Sequence, residues 1–117
     1  MRIRPAVRHD AAALVRLINA AFAVERFFVD ADRVDFGEVL RHLDTGTFFV
    51  EDAVSASVYV EPRGDRAYLG LLSVDPPLQG SGLGRALVAA AESYARGQGC
   101  RYMDLRVVSL REELPGF

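Results

Sequence analysis

Three glycines at alternate positions, Gly80, Gly82 and Gly84, stand directly before a strong helical pattern and limit what this part of the chain can form. The first backbone amides of a helix have no acceptor within the helix, and the helix dipole adds partial positive charge around them. Because glycine carries no side chain, such amides can turn inward as a concave nest that binds anions. The stretch therefore predicts a site for a phosphate or pyrophosphate, to which the guanidinium of Arg85 adds a full charge.

Two known phosphate-binding loops and a plain turn compete with this interpretation. A P-loop requires Gly-Lys-Ser/Thr, and the stretch contains no lysine. A dinucleotide fingerprint requires Gly-x-Gly-x-x-Gly, whereas the spacing here is Gly-x-Gly-x-Gly. The letters match neither loop, but the glycines alone leave open a turn that only changes the direction of the chain.

Hydrophobic periodicity along the chain predicts one small domain, residues 1–117, with a mixed sheet of the α/β (α+β) class. Helices are predicted after Asp10, which is expected to cap the first one, and at residues 34–43 and 83–96. Strands are predicted at residues 3–7, 47–50, 55–61, 67–74 and 102–108. The three middle strands are expected to pair as antiparallel neighbours, and the last strand–helix–strand unit predicts a parallel crossover.

Apolar residues at helical spacing predict the face that each helix buries. The predicted stripes are Leu14, Leu17, Ile18, Ala21 and Phe22 in the first helix, Phe36, Val39, Leu40 and Leu43 in the second, and Leu83, Ala86, Leu87, Ala90 and Tyr94 in the third. Packing these stripes against the sheet would give the domain its core.

Charge and composition argue against several classes of protein. The net charge of −2 and the pI of about 5.6 argue against nucleic-acid binding. One cysteine, Cys100, permits neither a disulfide framework nor a metal-ligand cluster, so no metal is expected. No apolar run reaches about 18 residues, and no signal-peptide pattern is present. We therefore expect a cytoplasmic protein without a membrane segment.

Residues 74–87, which read VDPPLQGSGLGRAL, resemble the acetyl-CoA loop of the GNAT superfamily of N-acetyltransferases. The family pattern is Gln/Arg-x-x-Gly-x-Gly/Ala, and Gln79, Gly82 and Gly84 fill its three fixed positions. The order of predicted elements is also similar over the whole chain. The resemblance implies the GNAT-like acyl-CoA N-acyltransferase fold. It also implies an enzyme that transfers the acetyl group of acetyl-CoA to an amine acceptor by direct attack.

The resemblance further implies roles for individual residues. The backbone amides of residues 79–84, with Arg85, would bind the pyrophosphate of CoA, and Leu72 and Val74 would pair through their main chain with the pantetheine arm. The amide of Leu72 or Ser73 would polarise the thioester carbonyl as an oxyanion donor. The implied cofactor-binding set is Leu72, Val74, Gln79, Gly80, Ser81, Gly82, Leu83, Gly84, Arg85 and Ser109.

Family members usually continue past the fifth strand into a helix whose tyrosine protonates the CoA thiolate, and then into two further strands. By the resemblance these elements would follow Phe117, so we expect a C-terminally incomplete form of the fold. Its fifth strand, with Met103, Leu105 and Val107, would be an open edge. A truncated chain would explain this edge, as would a partner that covers it, such as a second copy in a homodimer.

Other polar residues are weaker candidates for catalysis. Tyr94 is expected in the core, and Tyr59 and Tyr68 are expected to line or pack a face of the central strands. Glu51 and Glu61 are candidate bases acting through water, or solvated charges at strand ends. Two alternatives to the enzyme therefore stay open: a module that binds CoA or another phosphorylated ligand without catalysis, and a plain structural domain.

Overall fold

The computed structural model describes residues 2–25 and 34–105, and its described strands form one mixed sheet. The strands are β1 (Ile3–Pro5), β2 (Thr47–Glu51), β3 (Ala56–Arg63), β4 (Arg66–Val74) and β5 (Tyr102–Leu105). They lie side by side in chain order. The pairs from β1 to β4 are antiparallel, and β4 and β5 are parallel. The predicted mixed sheet with a parallel last pair is confirmed.

Helices cover both faces of this sheet. The described helices are α1 (Ala11–Glu25), α2 (Phe36–Thr45) and α3 (Leu83–Gly97). On one face, here called the helix-pair face, α1 and α2 pack against β2, β3 and β4. On the other, the α3 face, α3 packs against the same three strands. Among the described helices, none has the length and apolar character needed to cross a bilayer.

Each face of the sheet has its own apolar cluster. On the α3 face the buried residues are Leu83, Leu87, Ala91 and Ala95 of the helix against Ala56, Val58, Val60, Ala67 and Leu69 of the strands. On the helix-pair face they include Ala11, Leu14, Ile18 and Val39 against Phe48, Val50 and Tyr59. Residues 56–60 of β3 are all buried because helices cover this strand on both sides.

A β-bulge interrupts β4. Ser57 pairs with Ser73 and Tyr59 pairs with Gly70, so two residues of β4, Leu71 and Leu72, stand opposite one residue of β3. Leu71 adopts a φ of 53°, a left-handed conformation that side chains other than glycine rarely adopt. The extra residue changes the alternation of β4. Leu71 packs with the helix-pair cluster, whereas Leu72 and Val74 pack towards α3.

The expected cap of the first helix is wrong. Asp10 lies in a 3-10 turn, Arg8–Asp10, that precedes α1. Its carboxylate accepts hydrogen bonds from the guanidinium of Arg4 at 2.8 and 3.1 Å and from the N–H of Val7 at 2.9 Å. Because Arg4 offers a charged bidentate partner from β1, the carboxylate bonds to that strand instead of the first turn of α1.

The second helix begins two residues later than predicted, and its first residue is not in the core. Asp35 caps α2, because its carboxylate accepts from the N–H of Glu38 at 2.8 Å while Glu38 accepts from the N–H of Asp35 at 3.1 Å. This capping box fixes Phe36 in the first turn, where 51% of it is exposed. Val39 is fully buried, as predicted.

The remaining stripes are partly confirmed. Leu14, Leu17, Ile18 and Ala21 are buried in α1, but the side chain of Phe22 lies outside the described part. In α3, Leu83 and Leu87 are buried as predicted, and the stripe continues through Ala91 and Ala95. Ala86, Ala90 and Tyr94 are only half-buried beside it. The predicted continuation of the fifth strand, with Val107, lies outside the described residues.

Candidate functional site

A short turn leads from the end of β4 to the glycines. Pro76–Leu78 form one 3-10 turn, in which the N–H of Leu78 donates to the carbonyl of Asp75 at 2.7 Å. The side-chain amide of Gln79 donates back to the carbonyl of Val74 at 3.4 Å. We call residues 79–85 the glycine loop. These two bonds hold the start of the loop beside the last residue of β4.

Two glycines of this loop are required by backbone conformation. Gly80 has a φ of 84° and Gly82 a φ of 91°, both in the left-handed region that favours glycine. A Cβ atom built at either position would meet nothing within 4 Å. The surroundings would admit a side chain at both places, so it is the turn itself that selects glycine.

The amides of the glycine loop are available to a ligand. Within the described residues, the N–H groups of Gly80, Gly82, Leu83, Gly84 and Arg85 donate no hydrogen bond to the protein, although Ser81 donates to the carbonyl of Leu78. The first turn of α3 holds no acidic residue. Arg85 is exposed there, where its charge opposes the helix dipole. A bound anion would pair these amides and neutralise that charge, so the arrangement suits a phosphate group.

The start of α3 lies against the end of β4. A Cβ atom at Gly84 would lie 3.9 Å from the side chains of Leu72 and Val74, at ordinary contact distance. The pairing of β4 with β5 runs from Arg66↔Tyr102 to Leu69↔Leu105. Residues 70–74 of β4 therefore have no β5 partner among the described residues. We call residues 70–74 the end segment of β4.

The structure brings most of the sequence-predicted residues together around the end segment of β4 and the glycine loop. Leu72 and Val74 are half-buried and Ser73 is buried on β4. In the loop, Leu83 is buried, Gly84 is half-buried, and the others are exposed: Gln79, Gly80, Ser81, Gly82 and Arg85. Ser109 lies outside the described residues.

A polar cluster on the helix-pair face was not predicted as a unit. The hydroxyl of Tyr59 lies 2.7 Å from a carboxylate oxygen of Glu61 and 2.8 Å from the hydroxyl of Thr45. The other carboxylate oxygen of Glu61 accepts from Arg63 at 2.8 Å. Alternate residues of one strand share a face. The order Tyr-x-Glu-x-Arg in residues 59–63 could therefore have indicated this cluster from the sequence.

The protonation of this cluster follows from its contacts. The hydrogen bond from Arg63, followed by that from Tyr59, lowers the pKa of the Glu61 carboxyl below its usual value. Burial is the main cause that raises the pKa of the Tyr59 phenol to about 12, with Glu61 adding to the rise and Thr45 opposing it. Glu61 is thus an anchored carboxylate rather than a free charge at a strand end. Its lowered pKa makes it a weaker base.

Other candidate residues have structural partners. Glu51 accepts from the hydroxyl of Ser55 at 2.6 Å and from the N–H of Ala53 at 2.9 Å, and thereby organises the turn between β2 and β3. Tyr94, which was predicted in the core, is only half-buried and packs against Phe49 with ring centroids 5.3 Å apart.

Tyr68 lies on β4 next to the polar cluster. Its ring centroid is 6.2 Å from that of Tyr59, and the guanidinium carbon of Arg63 lies 5.0 Å from the centre of the Tyr68 ring. The side chain extends along β4, so that a Cβ atom at Gly70 would be only 2.6 Å from its hydroxyl oxygen. The phenol therefore reaches the residue that directly precedes the bulge.

Comparison with known proteins gives one family and many similar structures. A sequence model of the acetyltransferase (GNAT) family matches residues 12–113. No curated protein sequence matches this chain. A GNAT family acetyltransferase from Brucella melitensis, solved with acetyl-CoA, has a TM-score of 0.72 at 25% identity; the match covers 96% of this chain and 80% of that one.

Two other solved structures share the fold. An aminoglycoside acetyltransferase from an uncultured soil metagenomic sample, solved with sisomicin, has a TM-score of 0.72 at 18% identity, covering 96% of this chain and 80% of that one. The ribosomal-protein-alanine N-acetyltransferase from Brucella melitensis has a TM-score of 0.72 at 20% identity, covering 90% of this chain and 73% of that one.

Proposed function

This chain belongs to the GNAT family of acetyltransferases, and on that premise we propose that it transfers the acetyl group of acetyl-CoA to an amine acceptor. The observation that carries the proposal is the glycine loop, where five backbone amides without a described acceptor lie beside the exposed Arg85. This donor set matches the charge of a pyrophosphate. The solved Brucella melitensis relative holds acetyl-CoA, which supports the choice of ligand.

The end segment of β4 supports the proposed position of the rest of the cofactor. Leu72 and Val74 lie on a part of β4 that has no β5 partner among the described residues. An extended chain with amide groups can pair with such an edge as an added strand does. We propose that the pantetheine arm pairs there, with its pyrophosphate end at Gly82.

The bulge lies where the thioester would then be placed. In direct transfer, the amine nitrogen forms a bond to the carbonyl carbon and the carbon–sulfur bond breaks; the nitrogen loses a proton and the sulfur gains one. A backbone N–H directed at the carbonyl oxygen stabilises the charge that develops there. We propose the amide of Leu72 or Ser73 for this role, because the left-handed Leu71 redirects the backbone at this point.

The acceptor is proposed only as a class, a primary amine. The solved aminoglycoside acetyltransferase holds sisomicin, and the ribosomal-protein-alanine enzyme is named for a protein acceptor. One fold thus serves different amines, and fold alone does not select among them.

Thermal unfolding with and without acetyl-CoA tests the proposal. A ligand at 100 times its Kd stabilises the native state by about 2.7 kcal/mol, so the wild-type protein should melt at a higher temperature with acetyl-CoA. Gly82→Glu should abolish this increase, because the carboxylate would place negative charge in the phosphate site. An unchanged melting temperature of the wild-type protein would refute cofactor binding.

Gly99 offers a matched control for this variant. It also has a positive φ, 88°, and open space around its missing Cβ, but it follows the other end of α3. Gly99→Glu should keep the acetyl-CoA response. If Gly82→Glu keeps it too, the glycine loop is not the phosphate site. Release of free thiol from acetyl-CoA with amines then separates an acetyltransferase from a module that only binds CoA.

A further inference from the structure

Gly70 provides space for the hydroxyl of Tyr68. Its φ lies outside the left-handed region, so the backbone of β4 does not require glycine at this position. A Cβ atom there would lie 2.6 Å from the hydroxyl oxygen of Tyr68 and 2.9 Å from its ring carbon Cζ. Glycine within a strand weakens it relative to alanine. Gly70 thus weakens β4 at the position where the phenol of Tyr68 lies.

Neighbouring side chains fix the ring of Tyr68. The ring of Tyr59 packs against it in a T-shaped contact at 6.2 Å, and the guanidinium of Arg63 lies over its face at 5.0 Å. Both neighbours bond to Glu61, at 2.7 and 2.8 Å. Because Tyr59 is only 1% exposed, this framework is anchored in the core. The hydroxyl of Tyr68 therefore has a defined position beside Gly70.

That hydroxyl has no hydrogen-bond partner among the described residues, unlike the hydroxyl groups of Tyr59 and Tyr94. Tyr59 and Arg63 thus fix the position of a hydroxyl oxygen to which neither of them bonds. The hydroxyl of Tyr68 lies on the helix-pair face of β4, whereas Leu72, Val74 and α3 lie on the opposite face. Gly70 and Leu71 are adjacent to the place proposed for the thioester, so the hydroxyl approaches it from the side opposite α3.

We propose that Tyr68 is a catalytic residue whose phenol oxygen accepts a hydrogen bond from the N–H of the attacking amine. This inference rests on the proposed function. The contact would direct the nitrogen lone pair towards the carbonyl carbon, and holding reactants in such a geometry lowers the barrier by making attack effectively unimolecular. Tyr68 loses no proton in this role. The amine attacks in its neutral form. As the carbon–nitrogen bond forms and the carbon–sulfur bond breaks, the nitrogen releases a proton to solvent and the departing sulfur takes one from solvent.

Replacement of the hydroxyl gives the first test. Thiol release from acetyl-CoA is measured with spermidine, sisomicin, a peptide with an N-terminal alanine, and water alone. Tyr68→Phe should lower kcat/KM for the accepted probe by about tenfold, as expected for one hydrogen bond made in the transition state. The Kd of acetyl-CoA should change by less than about twofold. Equal turnover by Tyr68→Phe and wild type would overturn the inference.

Tyr102 provides the matched control. It lies on the same face, on β5, and the guanidinium of Arg66 lies 5.1 Å from its ring centre, but its side chain is 54% exposed. Tyr102→Phe removes the same atom from a similar arginine–tyrosine pair and should leave turnover unchanged. An equal loss in both variants would indicate a general effect of the sheet face and would count against Tyr68.

Gly70→Ala gives an independent test that keeps the phenol. Its methyl group would displace the hydroxyl of Tyr68, so turnover should fall as it does in Tyr68→Phe. In the double variant, Gly70→Ala should cause no further loss of turnover, because the hydroxyl through which it acts is already absent, even though its methyl group still meets ring carbon Cζ. A second, multiplied loss in the double variant would show that Gly70 acts through something else and would contradict the inference.

Failure of the proposed function would look different. A wild-type protein without acetyl-CoA binding would refute the proposed function itself. A wild-type protein that binds acetyl-CoA but releases no thiol with any probe would refute both transfer and the role of Tyr68. Normal wild-type transfer with an unimpaired Tyr68→Phe would refute the role of Tyr68 alone.

Discussion

Two buried serines face each other across β3 and β4, and their hydroxyl groups have different surroundings. Ser57 is fully buried, and its Oγ has no hydrogen-bond partner among the described residues. Ser73 is 1% exposed, and its Oγ donates to the carbonyl of Leu71 at 3.1 Å, inside the bulge. A buried hydroxyl without a partner destabilises the folded state, whereas a bonded one stabilises it modestly.

The two serines should therefore respond in opposite ways to alanine. Ser57→Ala is expected to raise the free energy of unfolding by up to about 1 kcal/mol, since it removes an unpaired polar atom. Ser73→Ala is expected to lower it by about 1 kcal/mol and to loosen the bulge. Urea unfolding of both variants measures the difference. A larger loss for Ser57→Ala than for Ser73→Ala would show that Ser57 has a partner.

At the residue scale, the sequence predicted burial better than it predicted polar partners. Helical spacing correctly placed Leu14 and Ile18 of α1 and Leu87 of α3 in the core. The same spacing also predicted Phe36, which is 51% exposed. Asp10 was expected to cap a helix, but it bonds to Arg4, six positions away and in another element. The choice between two possible partners of a carboxylate depends on tertiary distance, which one stretch of sequence does not contain.

At the scale of elements, the loop and α3 depend on two glycines for different reasons. Gly82 caps α3 with a φ of 91°, in the left-handed region. Gly84 lies inside the first turn, where a Cβ atom would rest at 3.9 Å from Leu72 and Val74. Only the first of these positions requires glycine for its backbone.

Substitution of Gly82 and Gly84 by alanine should have opposite effects on stability, because only Gly82 needs glycine for its backbone conformation. Gly84→Ala is expected to raise the free energy of unfolding by up to about 1 kcal/mol, because alanine favours the helix. Gly82→Ala is expected to lower it by about 1–2 kcal/mol, since a Cβ is unfavourable in the left-handed conformation. Circular dichroism during thermal unfolding provides the measurement. A destabilising Gly84→Ala would mean that α3 cannot accommodate even a methyl group against β4.

The elements themselves were largely predictable, but the bulge was not. Turn residues such as Gly64 and the glycines at positions 97 and 99 marked the ends of strands and helices in the sequence. Residues 70–73 read Gly-Leu-Leu-Ser, which fits an uninterrupted strand equally well. The extra residue in β4 becomes visible only when the pairing with β3 is known, and with it the environment of Tyr68.

For the whole molecule, one ion-pair network connects the beginning of the chain to a distant turn. Arg4 on β1 bonds to Asp10 at 2.8 and 3.1 Å and to the carboxylate of Asp52, after β2, at 3.1 Å. The side chain of Asp10 is 9% exposed. Its hydrogen bond with Arg4 is the main cause that lowers the pKa of its carboxyl, and the N–H of Val7 adds to this effect.

This network should make stability depend on pH. Because the pKa of Asp10 is lowered on folding, its contribution is present above the usual pKa of an aspartate and is lost as the pH falls through the folded value. At pH 7, Asp10→Asn should lower the free energy of unfolding by about 2 kcal/mol. The difference from wild type should shrink below about pH 4. Urea unfolding across this pH range measures it.

Asp104 is the control for this comparison. It bonds to Arg66 at 2.9 and 2.5 Å, but both side chains are 52% exposed. Solvent screens an exposed ion pair, so Asp104→Asn should leave the free energy of unfolding nearly unchanged at either pH. A pH-independent effect of Asp10→Asn would contradict the role given to its charge.

The order of the strands has a consequence for the way the protein can form during synthesis. In the described sheet every strand pairs with the strand that precedes it in the chain, and no strand is inserted between two earlier ones. A ribosome releases the N-terminal residues first. Each newly emerged strand therefore finds its partner already available, and the sheet can grow from one side without any earlier pair having to open.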